Sequence, residues 1–424
     1  MAKQEGAGGG NIVLKLSALM FLQFFMWGAW YLSVGVYMNA HGMDKNVAMA
    51  YGAGPLSAIV TPIIMGLIVD RFFNMEKVLA ALVFIGGLVM FAMPHTTGPV
   101  AGMEQGVAFI VLIFIHMLCY MPPLGLTASL SFHHLPEGSI QFPRVRMWGT
   151  IGWIVAGFVL AFCFHEGNKS PVQFYLAGAA GIALGALCLS LPATPAPKKG
   201  QPVDSRSLLF MDAWAQMKNP SFLVFILCSF LVCIPLAAYY SMLQLQLTAM
   251  GVVKTTALQN IGTFFEAGMM FAMAWFLRKL GVKKLIFIGI AAWITRYVLF
   301  AVGAPLGSFG LVLVTLGIAL HGVCYDFFFV TGQIYVDNST PSNVRGQCQG
   351  MNILFTQGIG MWIGAMVISK FSAGVFGELN KGAAESLSKW PTFWWPLAGF
   401  AAIVMVVFLL FFKDEGKIEG NGAH

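Results

Sequence analysis

The sequence predicts an all-α, multi-pass membrane protein with twelve transmembrane helices arranged as two pseudo-symmetric six-helix bundles. Three observations lead there. Of 424 residues, 58% are hydrophobic and only 10% charged, against about 25% charged in ordinary soluble proteins. Apolar runs of about 20 residues, the length that crosses a bilayer, recur along the chain. The two halves also repeat each other at a fixed offset. A soluble core of this length could not cover so much apolar surface, so a soluble enzyme, a disordered chain and a nucleic-acid binder are excluded. The net charge of +7 reflects Lys and Arg gathered in loops on one side of a membrane.

In chain order, the spans are expected at 12–38, 48–69, 77–94, 105–131, 146–165, 173–192, 221–249, 255–277, 285–303, 308–336, 347–372 and 392–412. Residues 1–11 form a polar tail, 12–192 the first bundle, 193–220 a cytoplasmic linker, 221–412 the second bundle and 413–424 a second tail. The linker opens Pro/Lys-rich, and its part from Leu208 to Met217 is amphipathic, suited to lying along the membrane surface. The first apolar stretch is too long for a signal-peptide core, so it counts as span one. Seventeen Lys and Arg fall on the side that holds both ends, six on the other, and Arg296 lies inside a span. Both termini are therefore expected in the cytoplasm. Seven cysteines, mostly in apolar runs and without metal-ligand spacing, read as small buried hydrophobes. No metal, cofactor, nucleic acid or obligate protein partner is implied, and no phosphate-binding loop or catalytic triad points to an enzyme.

The internal repeat rests on two matches. His116-x-x-Cys119-Tyr120 in span four recurs as His321-x-x-Cys324-Tyr325 in span ten, 205 residues later. The basic turn after span two recurs after span eight at nearly the same offset. Equal offsets indicate duplication. The first turn reads Gly66-Leu67-Ile68-Val69-Asp70-Arg71. With two six-span halves, this G-x-x-x-D-R turn resembles the major facilitator superfamily. The resemblance gives Asp70 and Arg71 a gating or structural role and implies a substrate site between the bundles.

Ionisable side chains at mid-bilayer cost roughly 2.5–3.5 kcal/mol on insertion scales, so each invites a functional reading. Glu266, Arg296 and Asp326 are the three. Glu266 shares a helical face with Gln259 and Thr263, and Asp326 with Gln333. Protonatable carboxyls on a polar cavity wall would carry H+, while an ion pair between Glu266 and Arg296 is the structural alternative. His321, one turn from Tyr325, is either a ligand group or a packing residue. Arg146, Thr150 and Trp153 lie on one face of span five. A guanidinium, a hydroxyl and an aromatic plate suit a polar ligand with a flat ring, and a snorkelling Arg is the alternative. Trp27 sits too deep in span one for an interfacial belt, which leaves stacking or core packing. Tyr239 and Tyr240 follow Pro235 in span seven, and Pro122, Pro123 and Pro235 mark expected kinks.

Four segments stand in order along the chain: Leu22 to Trp30 (LQFFMWGAW), Tyr120 to Leu126 (YMPPLGL), Arg146 to Gly152 (RMWGTIG) and Tyr325 to Phe328 (YDFF). With Ala292-Trp293-Ile294-Thr295-Arg296, they resemble the bacterial nucleoside permeases, nucleoside:proton symporters of the major facilitator superfamily. The resemblance implies a cavity that grips ribose hydroxyls and base edges, with Arg146, Thr150, Glu266 and Asp326 at binding positions. Trp153 and Tyr325 stand where the family has Phe. Ala237 and Tyr240 replace a Gln/Asn pair, Thr263 a Gln, and His321 a Tyr. Missing amides should alter selectivity.

The function expected is proton-coupled nucleoside uptake across the inner membrane by alternating access. Arg146, Thr150, Trp153, Tyr240, Thr263, Glu266, His321, Tyr325 and Asp326 would contact substrate. Asp326, with Glu266, would carry the proton, and Trp27 would stack. A proton symporter for a sugar or modified nucleoside, or a transport-inactive sensor, are the alternatives; the linker is too short to hold a signalling domain.

Overall fold

The structure, a computed structural model, describes residues 8–64, 73–100, 102–135, 138–164, 167–195, 210–341 and 344–413. It divides into two compact units, Met1–Val203 with Val253–Ala257, and Asp204–Val252 with Leu258–His424. Among the described residues, ten helical stretches are long and apolar enough to cross a membrane. The chain is an all-helical, multi-pass membrane protein. The ten include neither 48–69, which runs beyond the described residues, nor 255–277. That second stretch carries buried Gln259 and Asn260 as well as Glu266, so its composition is less apolar.

The first unit contains α1 (Gly8–Gly28), α2 (Val34–Ala40), α3 (Val47–Ile64), α4 (Met75–Ala92), α5 (Val107–His134), α6 (Gly138–Phe158) and α7 (Val172–Leu189). The expected span 12–38 is therefore two helices with turns between them. The break follows Gly28, where an added Cβ would stand 2.9 Å from the Trp153 carbonyl oxygen. Close approach to α6, which hydropathy does not register, coincides with the end of α1. Helix α5 continues through Pro122 and Pro123 without a break. A π-helical stretch, Val159–Cys163, finishes α6.

In lipid, helices associate by close packing at small residues, since tails and side chains are equally apolar. The α1–α6 seam follows that rule. A Cβ on Gly152 would collide with the Phe21 carbonyl oxygen, and one on Gly149 would lie 2.7 Å from the Phe24 ring. Gly87 and Gly181 do the same for α4 and α7, where a Cβ on Gly87 would meet the Gly178 oxygen at 3.0 Å. The apolar core of this unit includes Leu16, Leu19, Leu79, Val83, Leu130, Val145 and Leu184.

Beyond the apolar spans, Glu76 is buried at the start of α4. It accepts a hydrogen bond from the Thr194 backbone N–H at 2.8 Å and another from the Asn74 amide at 3.2 Å. His134 Nε2 lies 2.7 Å from the Thr194 hydroxyl. The ends of α4 and α5 are thus tied to the chain leaving α7.

The second unit contains α8 (Pro220–Ala249), α9 (Thr255–Gly303), α10 (Gly307–Ala319), α11 (His321–Tyr325), α12 (Thr331–Ser339), α13 (Arg345–Ile353), α14 (Met361–Phe376) and α15 (Trp390–Phe411). Helix α9 is two arms joined at Gly281, whose φ of 74° only glycine adopts at little cost. Asn219 caps α8, its side chain accepting from the N–H groups of Ser221 and Phe222. Two further π-helical stretches, Asp326–Val330 and Leu354–Gly360, interrupt the expected spans ten and eleven.

The amphipathic segment expected at 208–217 is a turn followed by a short 3-10 helix, Ala213–Lys218; its first two residues lie outside the described set. Ala213 is buried, and Trp214 sets its ring edge-on to Phe355 at 5.8 Å. Among the described residues no cysteine is bonded to another. Five are buried, Cys119 is half-buried, and Cys163 is exposed.

Candidate functional site

Each unit carries its own set of the expected site residues. In the first unit these project from α6 and α1. The Arg146 guanidinium lies over the Phe24 ring, 4.1 Å from its centroid, a cation–π contact. It is therefore engaged with α1 and does not snorkel free. Thr150 is half-buried one turn further on. Trp153 meets the edge of Trp27 at 5.4 Å and tilts against Tyr31 at 6.1 Å. Trp27 also touches Tyr31 at 5.2 Å and Tyr120 at 5.4 Å. Trp27 is thus one plate of an aromatic cluster, its indole N–H buried without a hydrogen-bond partner among the described residues. Beneath it, the Tyr120 hydroxyl donates to the Gln23 carbonyl at 2.7 Å. Glycine at 149 and 152 brings these rings within reach.

In the second unit, Gly262 and Gly322 let the first arm of α9 lie against α11. A Cβ on Gly322 would sit 2.7 Å from the Cα of Glu266, and one on Gly262 would sit 3.0 Å from the Cβ of His321. That contact joins Glu266 to His321, with Glu266 Oε2 3.6 Å from His321 Nε2. The His321 ring is stacked on Tyr239 at 5.1 Å and 18°. Tyr240 meets it edge-on at 6.3 Å, and Tyr325 tilts against it at 5.7 Å. Thr263 is half-buried on the α9 arm beside Gly262.

Arg296 is fully buried. Its guanidinium lies 4.4 Å from the Tyr239 ring centroid, and its Nε donates to the Gly317 carbonyl at 3.1 Å. It does not pair with Glu266. The expected ion-pair alternative gives way because a tyrosine face and a backbone carbonyl already hold the guanidinium.

Asp326 is also fully buried, and neither carboxyl oxygen has a hydrogen-bond partner among the described residues. It lies within electrostatic reach of Glu266. It opens the π-helical stretch, and Gln333 beyond that stretch is exposed. The expected common face of Asp326 and Gln333 is therefore absent. An i→i+5 turn rotates less per residue than the α-helix that spacing assumes. Ala237 is buried in helix packing, its methyl 3.0 Å from where a Cβ on Gly364 would stand. Asp70 and Arg71 lie outside the described residues.

Two carboxyls, an imidazole, hydroxyls and several ring faces can hold a ligand with both hydroxyls and a flat ring. Tyr239, which touches both Arg296 and His321, is the member that sequence reading left without a role. Its only signal was a tyrosine at mid-span. Gly262, four residues before Glu266, and Gly322, next to His321, were legible as small residues in the spans that also carry Glu266 and Asp326.

Comparison with known proteins gives a consistent result. The family described as Nucleoside H+ symporter matches residues 10–417. The putative nucleoside transporter YegT of Escherichia coli is 35% identical over 412 residues, 95% of this chain and 94% of that one. The xanthosine permease of the same organism is 28% identical over 432 residues, covering 96% and 98%. The crystal structure of the nucleoside transporter NupG superposes with a TM-score of 0.82 at 28% identity, covering 96% of this chain and 100% of that one. The chain belongs to the nucleoside:H+ symporter family of the major facilitator superfamily.

Proposed function

We propose that this protein imports nucleosides across the cytoplasmic membrane with protons, by alternating access. Twelve spans form two six-helix bundles, and both termini face the cytoplasm. Arg146, Thr150 and Trp153, with Tyr240, Thr263, Glu266 and Tyr325, contact the nucleoside, His321 stands beside Glu266 at the edge of that site, and Trp27 backs the stacking plate. Asp326 takes the proton. Arg296 has a structural role, as do Asp70 and Arg71.

The observation that carries this reading is Asp326, a carboxyl buried at mid-span whose oxygens have no hydrogen-bond partner among the described residues. An ionised carboxylate so placed costs far more than the neutral acid. Binding and releasing H+ therefore changes what the surroundings tolerate, which is what coupling requires. Neutral hydroxyls and stacked rings supply contacts for ribose and base without charge on the ligand.

The test is uptake of a labelled nucleoside into proteoliposomes under an imposed pH gradient, with collapse of the gradient as control. Accumulation that disappears on collapse is the expected result. Uptake that ignores the gradient, or a protein that moves a sugar and no nucleoside, refutes the reading.

A further inference from the structure

We propose that His321 is a positioning residue for Glu266: a neutral imidazole whose Nε2–H is directed at the carboxylate and holds it as an ionised acceptor for substrate. The proposal rests on the nucleoside:proton reading above and adds a division of labour between the two buried carboxyls. Glu266 is kept for the ligand, and Asp326 is left for the proton.

Three observations carry it. The first is fixed spacing. Gly262 and Gly322 bring the backbones of α9 and α11 into contact at this point, so the two side chains spring from adjoining main chain, and His321 Nε2 lies 3.6 Å from Glu266 Oε2. That separation is a few tenths of an ångström beyond a hydrogen bond, and sites of this kind tighten when filled.

The second is the tautomer. His321 Nδ1 is buried with no hydrogen-bond partner among the described residues. A proton on Nδ1 would be an orphaned donor, whereas a proton on Nε2 has a carboxylate to meet. The Nε2–H form is therefore favoured, because an unmet buried donor is expensive.

The third is the electrostatic setting. The charged or titratable groups around the ring are Glu266 from α9, Arg296 and Tyr239 on one side, Tyr240 from α8, and Tyr325, Cys324 and Asp326 following it in the chain. Arg296 lies against the same Tyr239 ring on which His321 is stacked. An imidazolium there would be a second buried cation against one aromatic ring, with like charges opposed. A neutral imidazole keeps its stack on Tyr239, adds no second cation beside Arg296, and still offers a donor to Glu266.

Three substitutions separate a positioning role from packing. His321→Phe keeps a ring on Tyr239 and removes the donor. His321→Asn keeps a small amide but places its N–H short of Glu266. His321→Gln returns an N–H to about the place of Nε2. Nucleoside affinity and uptake are measured from pH 5.5 to 7.5 on full-length protein of verified thermal stability. A donor to a charged acceptor is worth roughly tenfold to a hundredfold in affinity. The Phe and Asn variants should weaken binding by that amount through KM, with kcat little changed. Their loss should grow as pH falls, because a carboxylate that loses a donor takes up a proton more readily. The Gln variant should stay within about threefold of wild type at every pH. Wild-type affinity and pH profile in the Phe and Asn variants would overturn the proposal. So would a Gln variant as impaired as the Phe variant. Wild-type protein that takes up no nucleoside would overturn the transport reading itself, and this role with it.

Discussion

Gly152→Ala adds one carbon to the α1–α6 seam, and its effect can be worked out atom by atom. The new Cβ would overlap the Phe21 carbonyl oxygen and stand 3.0 Å from its carbonyl carbon and 3.1 Å from its Cα. Carbon atoms at rest prefer roughly 3.5–4.0 Å. The obstacle is backbone inside a helix, which cannot rotate away as a side chain can. Helix α1 must therefore withdraw by about half an ångström or more. Overpacking of this kind costs about 1–3 kcal/mol. Gly125→Ala in α5 is the matched control, since nothing lies within 4 Å of its added Cβ. Both variants gain the same helix propensity, roughly 1 kcal/mol, so their difference isolates the steric cost. Unfolding in mixed micelles should place Gly152→Ala about 1–3 kcal/mol below Gly125→Ala. Nucleoside KM should rise only in the first, because Arg146 and Trp153 on α6 pack against Phe24 and Trp27 of the displaced helix. Equal stabilities would refute the seam as described.

Asp326→Asn should abolish accumulation driven by a pH gradient, which for one coupled proton reaches at most about tenfold per pH unit. Exchange of nucleoside without a gradient should persist; accumulation at the wild-type level would remove Asp326 from coupling. Because Arg296 lies on Tyr239 and bonds Gly317, the double variant of Glu266→Gln and Arg296→Gln should not recover the stability that either single variant loses. Recovery in the double variant would reinstate an ion pair. His134 lies past the apolar part of α5, where burial and neighbouring His133 push its pKa below the ordinary 6.5, although Glu76 pulls it upward. The unfolded chain takes up that proton near 6.5, so the stability this histidine contributes is complete above 6.5 and declines as pH falls through it. The unfolding midpoint should therefore drop more between pH 7.5 and 5.5 in wild type than in His134→Gln, and parallel curves would rule this out.

What was legible in the sequence was whatever depends on hydropathy and local spacing. The apolar runs that became α8 and α15 lie close to where they were expected, and the placement of Arg146, Thr150 and Trp153 along α6 follows the α-helical period. Features that depend on neighbours were not legible. Nothing within 12–38 says that the helix breaks after Gly28, where the backbone meets Trp153, far away in sequence. The partner of Arg296 could not be deduced either. Glu266 and Tyr239 both lie on other spans, and only packing selects the ring over the carboxylate. The buried carboxyls Glu266 and Asp326 were conspicuous because charge is scarce in a membrane span. Tyr239 was not, because aromatic residues are common there.

The π-helical stretch that begins at Asp326 has a consequence for how such chains diverge. A turn of this type holds one residue more than the α-turn it replaces. Removing any one residue between Asp326 and Val330 would restore a continuous α-helix. Because the wider turn takes up the extra residue in nearly the same rotation, buried Tyr335 and Val336 and exposed Gln333 would keep their faces. The side chains on the two sides of this point are therefore insulated from the gain or loss of that one amino acid. In the middle of a span, where length changes are ordinarily neutral only in loops, a single deletion here would re-aim only the residues of the wide turn, Asp326 among them, and leave the rest of the helix and the hydropathy of the segment almost unchanged.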